Sequence, residues 1–230
     1  MDFSVIVNNF GLYASGLLTT VELVTASLVA GLILAVPLAI AHSSRNPFVR
    51  APVWVYVYVF RGTPLLIQVF LIYYGLSQFE AVRESVLWPV LKSATWCALI
   101  AFTLNTCAYT TEILRGAIEA TPHGEIEAAT ACGMSRAMML RRVVLPGAYR
   151  RALPAYGNEC VFMMHGTAVA SQVTLLELTG VASVINSRYY SPYEAFGTAA
   201  VFYMALTMSI VAFVHLAERR WHKHLKPRSG

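Results

Sequence analysis

Charge is scarce in this sequence. Only 13% of its 230 residues are Asp, Glu, Lys or Arg, against roughly 25% in a soluble domain. Aspartate occurs once, as Asp2, and lysine three times, at positions 92, 223 and 226. No lysine follows a glycine, so the P-loop pattern is missing and an ATP site of that kind is excluded. A single aspartate excludes a paired-aspartate enzyme, and neither HExxH nor GxSxG occurs. The four cysteines, at 97, 107, 132 and 160, form no CxxC pair. No disulfide and no metal site is therefore expected, and most of these thiols read as small buried hydrophobes. Residues 1–16 contain no Lys or Arg, so the basic start of a signal peptide is not expected. Internal repeats and low-complexity runs are absent, unlike the usual secondary transporter.

Apolar sequence is abundant instead, at 57% of the chain. A spanning helix needs about 20 mostly apolar residues. Five runs qualify: 17–41, 51–74, 94–114, a more polar one at 155–176, and 195–216. The predicted fold is all-α, with about five transmembrane helices. Residues 1–16 read as an outer arm, either a short interfacial helix over 3–16 or an unstructured lead-in. Residues 17–217 form one membrane domain, and 218–230 a basic tail.

Arginines set the orientation. Arg45 and Arg50 follow the first run, and Arg115, Arg136, Arg141, Arg142, Arg150 and Arg151 follow the third. The tail holds Arg219, Arg220, Lys223, Lys226 and Arg228. The other connections carry only Arg83 with Lys92, and Arg188. Basic residues mark cytoplasmic loops. The N-terminus is therefore expected in the periplasm and the C-terminus in the cytoplasm of a bacterial inner membrane. His222 and His224 in the basic tail read as lipid-facing rather than metal-binding.

The polar insert at 121–146, TPHGEIEAATACGMSRAMMLRRVVLP, interrupts this pattern. Thr121-Pro122 predicts a helix start. Ala128, Ala129 and Cys132 share one helical face. Gly133 predicts a left-handed turn. Ser135 predicts the cap of a second short helix, which Pro146 is expected to stop. Two small-faced helices hinged at a glycine suit docking against another protein. They also suit an ordinary interfacial hairpin.

The insert resembles the EAA loop of ABC importer permeases. Glu127-Ala128-Ala129 is followed by three residues, Gly133, nine residues, and then Val143, Val144, Leu145 and Pro146. Val143 stands where the family usually has isoleucine, a mild departure. RGTPLLIQ at 61–68 and AYTTEILRGAIEATPHGEIEAA at 108–129 resemble the polar-amino-acid subgroup. NECVFMMHGTAVASQVTLLELTG at 158–180 and the tail resemble M-type permeases of histidine/lysine/arginine/ornithine importers. IYYGLSQF and WPVLKSATWCA resemble opine permeases of the same branch.

The resemblance covers essentially the whole chain and implies a type I importer permease. Its loop would be a coupling helix docked on a cytoplasmic ABC ATPase dimer, through Glu125, Glu127, Ala128, Ala129, Gly133, Arg136, Arg141 and Pro146. It further implies a homologous Q-type permease as heterodimer partner and a periplasmic substrate-binding protein. ATP and Mg would sit on the ATPase, leaving no cofactor here. Surrounding lipid is a partner, and nucleic acid is not. The implied cargo is a basic amino acid or an opine.

Ionisable residues at membrane depth are costly and are functional candidates by default. Arg61 is expected near mid-membrane, with Gly62 and Pro64 loosening its helix. Two roles are open to it: a fork on a substrate carboxylate, or an ion pair to a buried glutamate. Glu159, beside Asn158 and expected near the cytoplasmic start of helix four, is open to a substrate cation or to a salt bridge. Thr63, Gln68, His165 and Gln172 complete the substrate-path candidates. His165, Thr167, Ser171 and Gln172 form a polar stripe expected to face the bundle interior. His165 suits one interhelical hydrogen bond better than a metal. Glu112 suits pairing with Arg115 at i,i+3. A pure scaffold role, with the partner permease alone binding substrate, stays open.

Overall fold

The computed structural model describes residues 3–221. His222, Lys223, His224, Lys226 and Arg228 of the tail, and Asp2, lie outside the described residues. Twelve α-helices follow one another, and no strand occurs among the described residues. They are α1 (Phe3–Asn8), α2 (Phe10–His42), α3 (Pro47–Gly62), α4 (Leu65–Phe70), α5 (Glu80–Arg83) and α6 (Trp88–Leu91). Next come α7 (Ala94–Glu119), α8 (His123–Ala131), α9 (Arg136–Met139), α10 (Leu145–Gly166), α11 (Leu178–Tyr189) and α12 (Pro192–Trp221).

Three helices, α2, α7 and α12, are long and apolar enough to cross a membrane. Two further spans are bent pairs. Pro47–Gly62 meets Leu65–Gln78 at 106°, and Arg136–Val173 meets Leu178–Tyr189 at 47°. Five spans result if each bent pair counts as one.

The expected outer arm is not a separate lead-in. It is helical almost throughout, and α2 begins at Phe10, not at residue 17. Buried Asn9 marks the joint, its Nδ2 donating to the Val5 carbonyl at 2.8 Å. Tyr13 is fully buried and donates its hydroxyl proton to the Ala195 carbonyl, 2.9 Å away. That bond fastens the start of α2 to the start of α12.

Three apolar clusters stack along the bundle. Tyr13, Leu178, Ile185 and Ala199 form one end. Leu23, Val69, Phe102 and Met163 form the middle. Ala35, Leu114, Ala148 and Ala152 form the other end. Their order makes α2 and α7 parallel and α10 antiparallel to both. Small residues permit this closeness. A Cβ at Gly31 would lie 2.5 Å from the Thr106 side chain and 3.3 Å from the Cys107 nitrogen. Only glycine lets α2 approach α7 there.

Two ends of the molecule emerge. One gathers α1, α5, α6 and the α11–α12 turn. The other gathers Ser43–Asn46, the insert and the end of α12. Arg45, Arg136, Arg141, Arg142, Arg219 and Arg220 all lie at this second, basic end.

Candidate functional site

The site begins with a broken helix. Pro64 supplies no N–H, and Thr63 before it is extended (φ −114°, ψ 142°). The helix is therefore not merely loosened at this point; it turns through 106°. Carbonyls freed by such a break need donors in a dry environment. Gln68 supplies them. Its Nε2 lies 2.8 Å from the Phe60 carbonyl, 3.0 Å from that of Thr63 and 2.9 Å from Thr63 Oγ1. Its Oε1 accepts from Asn105 Nδ2 at 3.0 Å. Gln68 is buried and its amide is occupied within the chain. It holds the bend, whereas Thr63 at the bend is exposed.

This bend leaves Arg61 in the last turn of α3. Tyr56 and Phe60 contact Leu104 and Asn105, which sets Arg61 level with the middle of α7. Its guanidinium carbon lies 5.2 Å from the Tyr109 ring centroid, a cation–π contact. A cavity of about 470 Å³ opens beside it, lined by Arg61, Tyr109, His42, Glu112, Arg115 and Arg50 among others. Glu112 and Arg115 pair as the i,i+3 spacing suggests, and Arg115 also reaches Glu119.

A second cavity, about 330 Å³, is lined by Glu159, Tyr109, Asn105, Leu65, Phe162 and Met163. Both volumes fall in the 300–1,000 Å³ range of small-molecule sites. Tyr109 lines both, so the arginine chamber and the carboxylate chamber adjoin at that residue. Glu159 is only 5% exposed, and its Oε1 accepts from Thr106 Oγ1 at 2.8 Å.

Its expected place near the cytoplasmic start of helix four is corrected. Pro146 does not stop a helix; it occupies the first turn of α10. A π-helical turn, Leu140–Val144, joins α9 to α10 and carries the chain past the proline. Pro at the first turn forgoes only a bond that the wider turn already disrupts. Glu159 thus lies 14 residues beyond Leu145, about 21 Å along the axis, level with the middle of α7. Among the described residues, no ion pair joins Glu159 to Arg61 or to an arginine of the insert.

Other candidates disperse. Asn158 is exposed and points away from its buried neighbour Glu159. His165 Nε2 lies 3.2 Å from Thr207 Oγ1, an interhelical contact between α10 and α12. His165 and Gln172 are exposed, so the expected inward polar stripe is not one. Only Thr167 in it is buried. The 3-10 segment Thr167–Val173 alters the helical phase, which defeats an i,i+3/i+4 reading.

At the basic end, the insert has the expected glycine hinge. Gly133 has φ +73°. Its N–H donates to the Thr130 carbonyl at 2.9 Å, and that of Met134 to the Ala129 carbonyl at 3.1 Å. These two bonds make a Schellman end to α8. Ser135 Oγ accepts from the Met138 N–H and caps α9. Thr121 does not cap α8. Its hydroxyl accepts from Arg151 Nη2 at 2.7 Å and donates to the Ile118 carbonyl. Arg151 Nε also reaches the Ala117 carbonyl at 3.0 Å, clamping the entrance of the insert to the base of α10. Ala129 is buried, while Glu125, Glu127, Ala128, Arg136, Arg141 and Pro146 are exposed.

Several site residues carried no sequence signal of their own. Tyr109, Asn105 and Thr106 lie in an apolar run where any one residue reads as filler. Glu177 is fully buried and binds the N–H groups of Thr179 and Gly180 and the Tyr203 hydroxyl. Its place just before Leu178 is the sign of an N-cap, and its role is to start α11.

Polar groups at mid-depth around two adjoining cavities, on a bundle of spanning helices, define a membrane permease. Residues 27–223 match the family described as binding-protein-dependent transport system inner membrane component, and the chain belongs to that family. It is 45% identical over 207 residues to the octopine transport system permease protein OccM of Rhizobium meliloti, covering 90% of this chain and 84% of the relative. It is 45% identical over 215 residues to the histidine/lysine/arginine/ornithine transport system permease protein HisM of Salmonella typhimurium, covering 93% and 92%. Among solved structures it is similar to an amino acid ABC transporter with histidines, with TM-score 0.85 and 33% identity over 96% of this chain and 99% of the other. The fold is thus that of an ABC importer permease.

Proposed function

We propose that this chain is one half of the permease of an ATP-driven importer, carrying a basic amino acid or a related opine into the cytoplasm. The observation that carries this reading is the adjoining pair of chambers. Arg61 offers a fork for a carboxylate, and Glu159, in the chamber that adjoins at Tyr109, offers a counter-charge for a cation. Such a pair matches a solute bearing both charges. The names of the OccM and HisM relatives point to the same solutes. A homologous Q-type permease, a periplasmic binding protein and an ABC ATPase dimer complete the assembly. ATP and Mg act on the ATPase, which the exposed face of α8 and α9 meets. In proteoliposomes holding the full assembly, uptake of arginine, lysine or octopine is expected to require ATP. Uptake that persists on an ion gradient alone would assign a secondary transporter.

The basic end is the cytoplasmic one, and α1, α5 and α6 face the periplasm. A cysteine placed at Arg136 in a Cys-free background is expected to resist an impermeant thiol reagent in sealed cells. One placed at Glu80 is expected to react. The opposite pattern would invert the orientation.

A second reading has one observation in its favour. Arg61 and Glu159 each already have a partner within the chain, Tyr109 and Thr106. In that reading this half is a scaffold, and the partner permease binds the solute.

A further inference from the structure

The larger cavity extends from Arg61 to the basic end, between the end of α2, α3 and α7. Its charges do not balance. Arg50, Arg61 and Arg115 line it; Arg115 is held by Glu112 and by Glu119 beside the cavity, which leaves Arg50 and Arg61 without a carboxylate among the described residues. Arg50, in the first turns of α3, is exposed and makes no ion pair with the described residues. His42 adds a further unmet group. It is 5% exposed, and its Nδ1 has no hydrogen-bond partner among the described residues. The nearest carboxylate oxygen, on Glu112, is 3.6 Å away, too far for a hydrogen bond. A buried polar atom without a partner usually marks an absent ligand or water.

The outer wall of this cavity is amphipathic. Trp54 and Tyr58, one turn apart on α3, stack at 5.2 Å, and both remain about half exposed or more. Val55 and Val59 continue an exposed apolar strip along the same helix. Arginines below and an apolar strip above match a phosphate with a chain attached.

We propose that the Arg50–His42–Arg115 end of this cavity is an anion site for a phosphate group, supplied by an anionic phospholipid whose acyl chain lies along α3. Guanidinium groups bind phosphate oxygens in a bidentate fork, and basic pockets between spanning helices suit anionic head groups. His42 Nδ1 takes part through a phosphate oxygen or a bridging water. The site takes the far end of the arginine chamber: Arg61 stays with the substrate reading, while Arg50 and His42 lie towards the basic end and outside the Glu159 chamber.

The test uses the full-length chain in nanodiscs of phosphatidylcholine, with or without phosphatidylglycerol, and a third arm with inorganic phosphate. Lipid retention is read by native mass spectrometry and phosphate binding by calorimetry. Wild-type protein is expected to retain phosphatidylglycerol over phosphatidylcholine. Arg50→Gln should lower that retention about tenfold, the loss of one charge-assisted contact, while Arg50→Lys restores part of it. Arg45→Gln, at an exposed arginine outside the cavity, should change little. Phosphate binding that Arg50→Gln abolishes, without retained lipid, would assign the same site to a soluble anion. If neither ligand binds, or if Arg45→Gln is as damaging as Arg50→Gln, the site does not exist.

Discussion

Gly133→Val is expected to cut uptake at least tenfold while leaving the chain in the membrane. The reason is backbone, not space. A Cβ at Gly133 would meet nothing within 4 Å, yet the residue has φ +73°. A β-branched residue is a genuine outlier there, at a cost of about 1–3 kcal/mol. The chain can escape that strain only by losing the two hydrogen bonds that end α8, which re-aims α8 against α9. Spanning helices do not depend on this turn, so insertion should survive. Asparagine tolerates the left-handed region, and Gly133→Asn should therefore keep most of the uptake. The measurement is ATP-dependent uptake beside recovery of the complex with its ATPase. Normal uptake by the valine variant would remove the coupling role from the insert.

Glu159→Gln carries the other large effect. Its carboxylate is buried, holds one bond from Thr106 and borders a cavity with Asn105 and Tyr109. A bond to a charged group contributes about 1.5–3 kcal/mol, so removing the charge should slow uptake of arginine or lysine at least tenfold. A neutral amino acid delivered by the same binding protein should lose much less. Glutamine keeps the size of the side chain and can still accept from Thr106, so the folded complex should form in near-normal yield. Equal loss for both solutes, with a lower yield of complex, would make Glu159 a structural residue and favour the scaffold reading.

How much of this was legible depends on which force set each feature. Five spans and their alternate basic ends follow from hydrophobic length and arginine placement, which are local and additive. Gly133 was legible because only a few residues accept its backbone. Gly62 and Pro64 announced a weak point, but not the 106° turn, which Gln68 fixes locally with Asn105 bracing it from α7. Pro146 misled because a proline is read as a stop, and the π turn before it is a tertiary accommodation. Tyr109 and Thr106 acquire their roles only when α3 and α10 arrive beside α7. Glu159 was legible as a costly charge, but its depth was not. Its depth depends on where α10 begins.

The continuity of α9 with α10 has a mechanical meaning. From Arg136 to Glu159 the axis measures about 35 Å, with no break before Val173. Such a rod is a lever with its short arm at the glycine hinge. A tilt of about 10° at the hinge would sweep the carboxylate through roughly 6 Å on that length. Gearing of this kind would let a small rotation outside the bilayer open or shut a chamber at its centre. The stiffness of the π turn would then decide how much of the stroke arrives.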